Sequence, residues 1–204
     1  GVGRDDGEEK GEYAPIFFRT SRFRLVDAGH FWLSEKPDQP GSVSWDSSMT
    51  RMASWVLLDD LEDNSDMPIA FANTHFDHRG RQARLESAKL IRRMRDEMDM
   101  DYPVILTGDF NTTEDTDAYK ALTDAGGNTY YYDNLIDSYR VIFPERSPNE
   151  ASFGRFSNHR AGSRIDFVFH SKHFKTINAA IDYTQEDGHN PSDHYPVTAT
   201  LRLR

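Results

Sequence analysis

The 204-residue sequence contains no cysteine. That absence excludes disulfides, iron–sulfur ligation and thiolate zinc sites, and it leaves the compartment undetermined. No stretch of about 18 apolar residues occurs, so no transmembrane helix is expected. Positive charge is scarce as well. Lys and Arg number 24 against 34 Asp and Glu, a formal charge of −10 at pH 7. Indiscriminate binding to nucleic acid depends on Lys and Arg against phosphate, and this balance argues against it. A small phosphorylated substrate or a local basic patch stays open. The opening Gly1–Gly7 is neither a signal peptide nor a targeting helix. What is present suffices for a core: 37% hydrophobic residues and 12% aromatics indicate a globular chain rather than a disordered one. The length suits one domain, residues 1–204.

Repeats and low-complexity tracts are absent. Gly1–Gly11 is polar and loop-like. Pro15–Arg19 and Phe23–Leu33 are apolar runs separated by Thr20-Ser21-Arg22, a hairpin pattern. Ser34–Thr50 carries Pro37, Pro40, Gly41 and several serines and reads as a long loop. Ala53–Asp59 and Pro68–Thr74 form a second predicted hairpin, with Ile69, Phe71, Asn73 and His75 sharing a face. Arg81–Met98 is the clearest helix, because Leu85, Ala88, Ile91, Met94 and Met98 recur at helical spacing. Its arginines alternate with acids, so they read as a solvated face. Pro103–Thr107 reads as a strand buried on both sides. Thr113–Ala125 reads as a helix with Thr113 as N-cap and Gly126 as stop. Ser163–His170, Phe174–Tyr183 and Tyr195–Leu203 are further predicted strands. This order predicts two packed sheets with helices outside, not a doubly wound parallel sheet.

Four polar clusters fall at or near strand ends: Asn73-Thr74-His75, Gly108-Asp109-Phe110-Asn111, Asp166 within Arg164–Phe169, and Ser192-Asp193-His194-Tyr195-Pro196-Val197. Strand ends carrying acids, an amide and imidazoles can build one polar site on a rigid scaffold. Each cluster taken alone has a plainer reading. Asp109 and Asn111 could make an Asx-turn, His75 could be a hydrogen-bonded core histidine, and Ser192-Asp193 could be a simple turn. Asp166 differs, because Ile165, Phe167, Val168 and Phe169 surround it. A buried carboxylate needs a partner, and a histidine is a natural one.

In this order the clusters resemble the endonuclease/exonuclease/phosphatase superfamily, which has the deoxyribonuclease I-like fold. The Gly11-Glu12-Tyr13-Ala14-Pro15, Phe31–Ser34 and Thr50-Arg51 segments share the resemblance, which runs over essentially the whole chain. It implies a four-layered α/β sandwich, with two mainly antiparallel or mixed sheets face to face and helices outside. It implies a metal-dependent hydrolase of phosphoester bonds, using Mg²⁺ or alternatively Mn²⁺. Phosphoryl transfer to water calls for charge neutralisation and an oriented nucleophile, and hard carboxylates suit Mg²⁺. By resemblance, Asp193 is a metal ligand, and Asp109 and Asn111 help hold metal, orient water and bind phosphate. His194 contacts the phosphate or acts as general base, with Asp166 orienting it. His75 is the second active-site histidine, Glu12 its acid, and Arg51 a phosphate-binding arginine, for which a structural ion pair is the competing reading.

The family begins with a strand–helix–strand unit that supplies a principal metal glutamate. No residue before Glu12 matches it. The sequence therefore predicts an N-terminally incomplete domain whose 204 residues alone bind metal poorly and are close to inactive. The substrate could be nucleic acid, a phosphorylated small molecule or a lipid head group. No feature indicates a protein partner, and export would require an upstream signal. A second function class, a non-catalytic phosphate- or protein-binding module, is disfavoured by six intact polar positions, and metal-dependent turnover discriminates the two. Trp45 could stack on a base or sugar and Tyr130-Tyr131-Tyr132 could form an aromatic wall, but packing of their own segments is the plainer reading; His78, His159 and His189 receive no role.

Overall fold

The computed structural model describes residues 1–62, 67–97, 102–123 and 134–204. Strand β1 (Phe23–Trp32) pairs antiparallel with β2 (Met52–Asp60), and β2 with β3 (Ile69–His75). Helix α1 (Arg81–Glu97) carries the chain over to β4 (Val104–Asp109), which is parallel to β3. After α2 (Asp117–Thr123), β5 (Ile136–Asp137) and α3 (Ser138–Ile142), β6 (Asp166–His170) joins antiparallel to both β4 and β5. The six-stranded order is β1-β2-β3-β4-β6-β5. Strands β7 (Phe174–Ile181) and β8 (Val197–Leu203) form a separate antiparallel pair.

One face of the large sheet packs on α1 and α2. Phe31, Ala53, Leu106, Phe167 and Phe169 meet Ala88, Leu90, Ile91 and Leu122 there, with Phe76 and Phe110 fully buried between. The aromatic rings meet edge-on or stacked, with Phe110 at 4.9 Å from Phe76 and 5.2 Å from Phe169. The other face turns Phe71, Ile105 and Val168 toward Ala199, Leu201 and Leu203 of β8 across a cleft of about 380 Å³. The architecture is thus the α/β sandwich expected, mixed and not doubly wound.

Several local expectations change. Pro15–Arg19 forms no strand, and Phe17 is 91% exposed. The backbone of this segment is engaged at its ends, where the Asn73 amide donates to the Pro15 carbonyl and the Arg22 and Phe23 N–H groups donate to the Arg19 carbonyl. The hairpin is therefore not formed, because the partner of β1 is β2. Strand β4 buries Leu106, but Ile105 and Thr107 are only half-buried against the inter-sheet cleft. On α1 the buried stripe is Ala83, Ser87, Ala88, Leu90 and Ile91, while Leu85 is half-buried. Met98 lies outside the described residues, as do Gly126 and Tyr130–Tyr132. Helix α2 starts at Asp117, later than Thr113. Thr113–Thr116 is a turn, and the Thr116 hydroxyl accepts from the Tyr119 N–H as the cap. Among the described residues no helix is long and apolar enough to cross a membrane.

Candidate active site

The sheet register assembles the site. His75 at the end of β3 lies opposite Asp109 at the end of β4, and Asp109 lies opposite Asp166 at the start of β6. Three polar side chains thus stand in a row across adjacent strands. The segment entering β8 sets His194 over them. His194 Nδ1 bonds Asp166 Oδ2 at 2.9 Å, and Nε2 lies 3.8 Å from Asp109 Oδ2. His75 Nε2 is 3.2 Å from the same Asp109 oxygen, and its Nδ1 bonds Glu12. Arg4 donates to the other Glu12 oxygen at 3.1 Å. A continuous line of charge therefore runs from Arg4 through Glu12, His75 and Asp109 to His194 and Asp166.

Local backbone features hold this line. Gly108 passes so close to β3 that a Cβ would sit 2.1 Å from the Thr74 carbonyl oxygen, so only glycine fits between Thr107 and Asp109. Asp109 Oδ1 accepts from the Asn111 N–H at 2.8 Å, the Asx-turn that the sequence allowed. Its Oδ2 meets the histidines and also accepts from the Asn111 amide at 3.2 Å. The Asx-turn thus leaves Asp109 Oδ2 directed at both histidines. Asn111 takes the left-handed region, φ 46°, which Asn tolerates, and its amide also donates to the Phe76 carbonyl.

The charges are displaced accordingly. The bond to His75 holds Glu12 down at about 2. Burial opposes protonation of His75, but its bonds to Asp109 and Glu12 prevail and raise it. The Asp166 bond raises His194. Burial pushes Asp166 upward, with the Asp109 carboxylate adding to the push and His194 opposing it. Two adjacent carboxylates, one of them disfavoured as an anion, form a setting that a cation relieves.

Asp109, Asp166 and His194 each offer a ligand atom within 4.8 Å of the others, and all are half-buried. The donor set, two carboxylates and an imidazole, fits a divalent cation. Asp193, expected as a ligand, is not in this group. Its carboxylate has one hydrogen bond, from Ser192 at 3.4 Å, and its carbonyl accepts from Gly154 and Arg155. Arg51 is 4% exposed, and its Nη2 contacts His78 at 3.2 Å. Its Nε is 3.8 Å from Asp77, an ion pair without a hydrogen bond, and Nε and Nη1 have no hydrogen-bond partner among the described residues. With Arg4, Glu12 and His75 it lines a small pocket.

A family model for the endonuclease/exonuclease/phosphatase family matches residues 7–194. The chain belongs to the endonuclease/exonuclease/phosphatase family. Members of the family are phosphoester hydrolases. The chain is similar to a solved family protein from Bacteroides thetaiotaomicron at 35% identity, covering 98% of this chain and 73% of that one, with TM-score 0.84. It is also similar to the mannosyl-6-phosphatase of Bacteroides thetaiotaomicron VPI-5482 at 34% identity, with 99% and 75% coverage and TM-score 0.83. The human Nocturnin catalytic domain, at 20% identity, shares the fold, with TM-score 0.68 over 92% of this chain and 62% of that one. An uncharacterized protein of Acanthamoeba polyphaga mimivirus is 27% identical over 138 residues, 58% of this chain, and the match spans 20% of that protein's length.

The sequence did not single out Arg4, Ser152 or Phe153. Ser152 is fully buried and its hydroxyl accepts from the N–H groups of Ile165 and Asp166. Phe153 bridges His194 in the backbone and lays its ring 4.8 Å from the imidazole. All three act through contacts between residues distant in the chain, which no local pattern signals.

Proposed function

We propose that this protein hydrolyses phosphoester bonds with a divalent cation, Mg²⁺ or Mn²⁺, held by Asp109 and Asp166. The carrying observation is the row His75–Asp109–Asp166 closed over by His194. When bound, the cation supplies positive charge against the phosphate oxygens. Arg51, buried with two nitrogens free of hydrogen bonds, binds a phosphate oxygen. Asp166 fixes His194 through Nδ1, leaving Nε2 to hold a proton where the phosphate arrives. Glu12 fixes His75 in the same way on the opposite side of Asp109. Asp109 and Asn111 orient the attacking water. The water oxygen bonds to phosphorus as the P–O bond to the leaving group breaks, and the proton the water gives up balances the one with which the alcohol departs.

The likeness to a mannosyl-6-phosphatase supports phosphorylated sugars as the first substrates to assay, and phosphodiesters follow. The protein is assayed with Mg²⁺ and with chelator. Turnover that chelator abolishes and His194→Ala lowers about a hundredfold or more supports the reading. Metal-independent turnover, or full activity in His194→Ala, overturns it.

A further inference from the structure

We propose that the loop from Ala151 to Ser163 forms a second anion subsite, taking a phosphate group of the substrate other than the one hydrolysed. The inference rests on the phosphoesterase reading above.

The loop borders an open depression of about 510 Å³ lined by Phe153, Arg155, Ser157, His159 and Ser163 among others. No carboxylate lines it, although the chain carries 34 acids in 204 residues. The depression adjoins the site. The Phe153 ring is 4.8 Å from that of His194, and the Arg155 guanidinium carbon is 5.6 Å from the Phe153 centroid. Arg155 is exposed and pairs with no carboxylate among the described residues. In so acidic a chain, an unpaired guanidinium beside an active site is informative.

The loop is also held in place at some strain. Arg155 and Phe156 are consecutive non-glycine residues in the left-handed region, φ 54° and 59°. Such conformations persist where the surroundings over-determine them. Here the Gly154 and Arg155 N–H groups both donate to the Asp193 carbonyl, at 2.7 and 3.0 Å. The Tyr195 hydroxyl donates to the carbonyls of Ser157 and His159, and the Asn190 amide donates to Ser157. A Cβ at Gly154 would meet the Tyr195 ring at 2.5 Å. The residues on either side of His194 therefore fix the loop, and the position of Arg155 relative to His194 is set by the fold. A guanidinium presents five donors in a planar fork that matches phosphate. A neutral sugar ring gives no reason to leave that charge unpaired.

The test is equilibrium binding by titration calorimetry in chelator, so that turnover plays no part. The probes are matched pairs: fructose 1,6-bisphosphate with fructose 6-phosphate, and adenosine 3′,5′-bisphosphate with adenosine 5′-monophosphate. The intact protein should bind at least one bisphosphate roughly tenfold more tightly than its monophosphate. Arg155→Asn, which tolerates the left-handed backbone, should erase that preference and leave monophosphate affinity within about twofold. Arg155→Lys should restore part of it. The pair that responds separates a sugar from a nucleoside source. No preference in the intact protein, or preference retained in Arg155→Asn, overturns the subsite. Equal loss of both ligands in Arg155→Asn and Arg155→Lys would make the loop only a prop for His194, which also overturns it. Tight bisphosphate binding by a protein that hydrolyses none of these ligands once Mg²⁺ or Mn²⁺ is restored would instead overturn the phosphoesterase reading.

Discussion

Residue by residue, the site is a set of paired charges, and two pairings give direct tests. Glu12 is depressed to about 2 by its bond to His75. A depressed carboxylate stabilises the fold above its unfolded value and loses that contribution as pH falls toward the folded one. The stability gap between the native protein and Glu12→Gln should be full at neutral pH and close as pH falls from about 4.5 to about 2. Urea midpoints across that range measure it, and a gap that widens in acid would contradict the pairing. Gly108→Ala forces a Cβ against the Thr74 carbonyl oxygen, so the two strands must part where His75 and Asp109 meet. A loss of about 2 kcal/mol or more is expected, from backbone strain, with activity falling further than stability. The sequence showed most of this scale. Asp166 had to have a partner because apolar neighbours surround it, and that partner is His194. The clustering of Asp109, Asp166 and His194 could not be read in the same way, because strand register, not chain adjacency, brings the two carboxylates together, while Asp193 lies outside that cluster.

Elements position these residues through a buried ion network beneath them. Arg164, two residues before Asp166, bonds Asp137 at 2.6 Å and Glu114 at 2.5 Å, and its side chain is fully buried. Asp137 also caps α3 by accepting from Tyr139 and Arg140. Glu114 lies three residues after Asn111 and pairs with Arg140 too. The network thus ties β6, α3 and the turn after β4 together. Removing one partner strands the others in low dielectric, so Arg164→Met should cost about 3–5 kcal/mol. Thermal or urea unfolding checks this, and a neutral effect would remove the network as the support of Asp166. Strong periodicity made β2, β3 and α1 legible. Pro15–Arg19 is apolar without being a strand, and β1 finds its partner in β2 instead. The short β5 and α3 gave no period to read. They exist because Asp137 serves cap and ion pair at once.

At the scale of the whole molecule, the charge of −10 conceals a local arrangement. Arg4 and Arg51 line the pocket beside His75, Arg155 stands beyond Phe153 next to His194, and the acids between face two imidazoles. Outer-surface acidity and a phosphate-binding site are therefore compatible. The α/β sandwich explains the placement: the ends of β3 and β4, the start of β6 and the segment entering β8 come together at the site. The central claim is that Asp109 and Asp166 hold a divalent cation on which phosphoester hydrolysis depends. The most direct measurement is kcat/KM for sugar phosphates and phosphodiesters by the full-length gene product against Mg²⁺ and Mn²⁺ concentration, compared with Asp109→Asn and Asp166→Asn. The account predicts saturable metal activation, abolished by chelator, and a loss of about a hundredfold or more in each variant at native-like stability. Activity that ignores metal, or survives both substitutions, would contradict it.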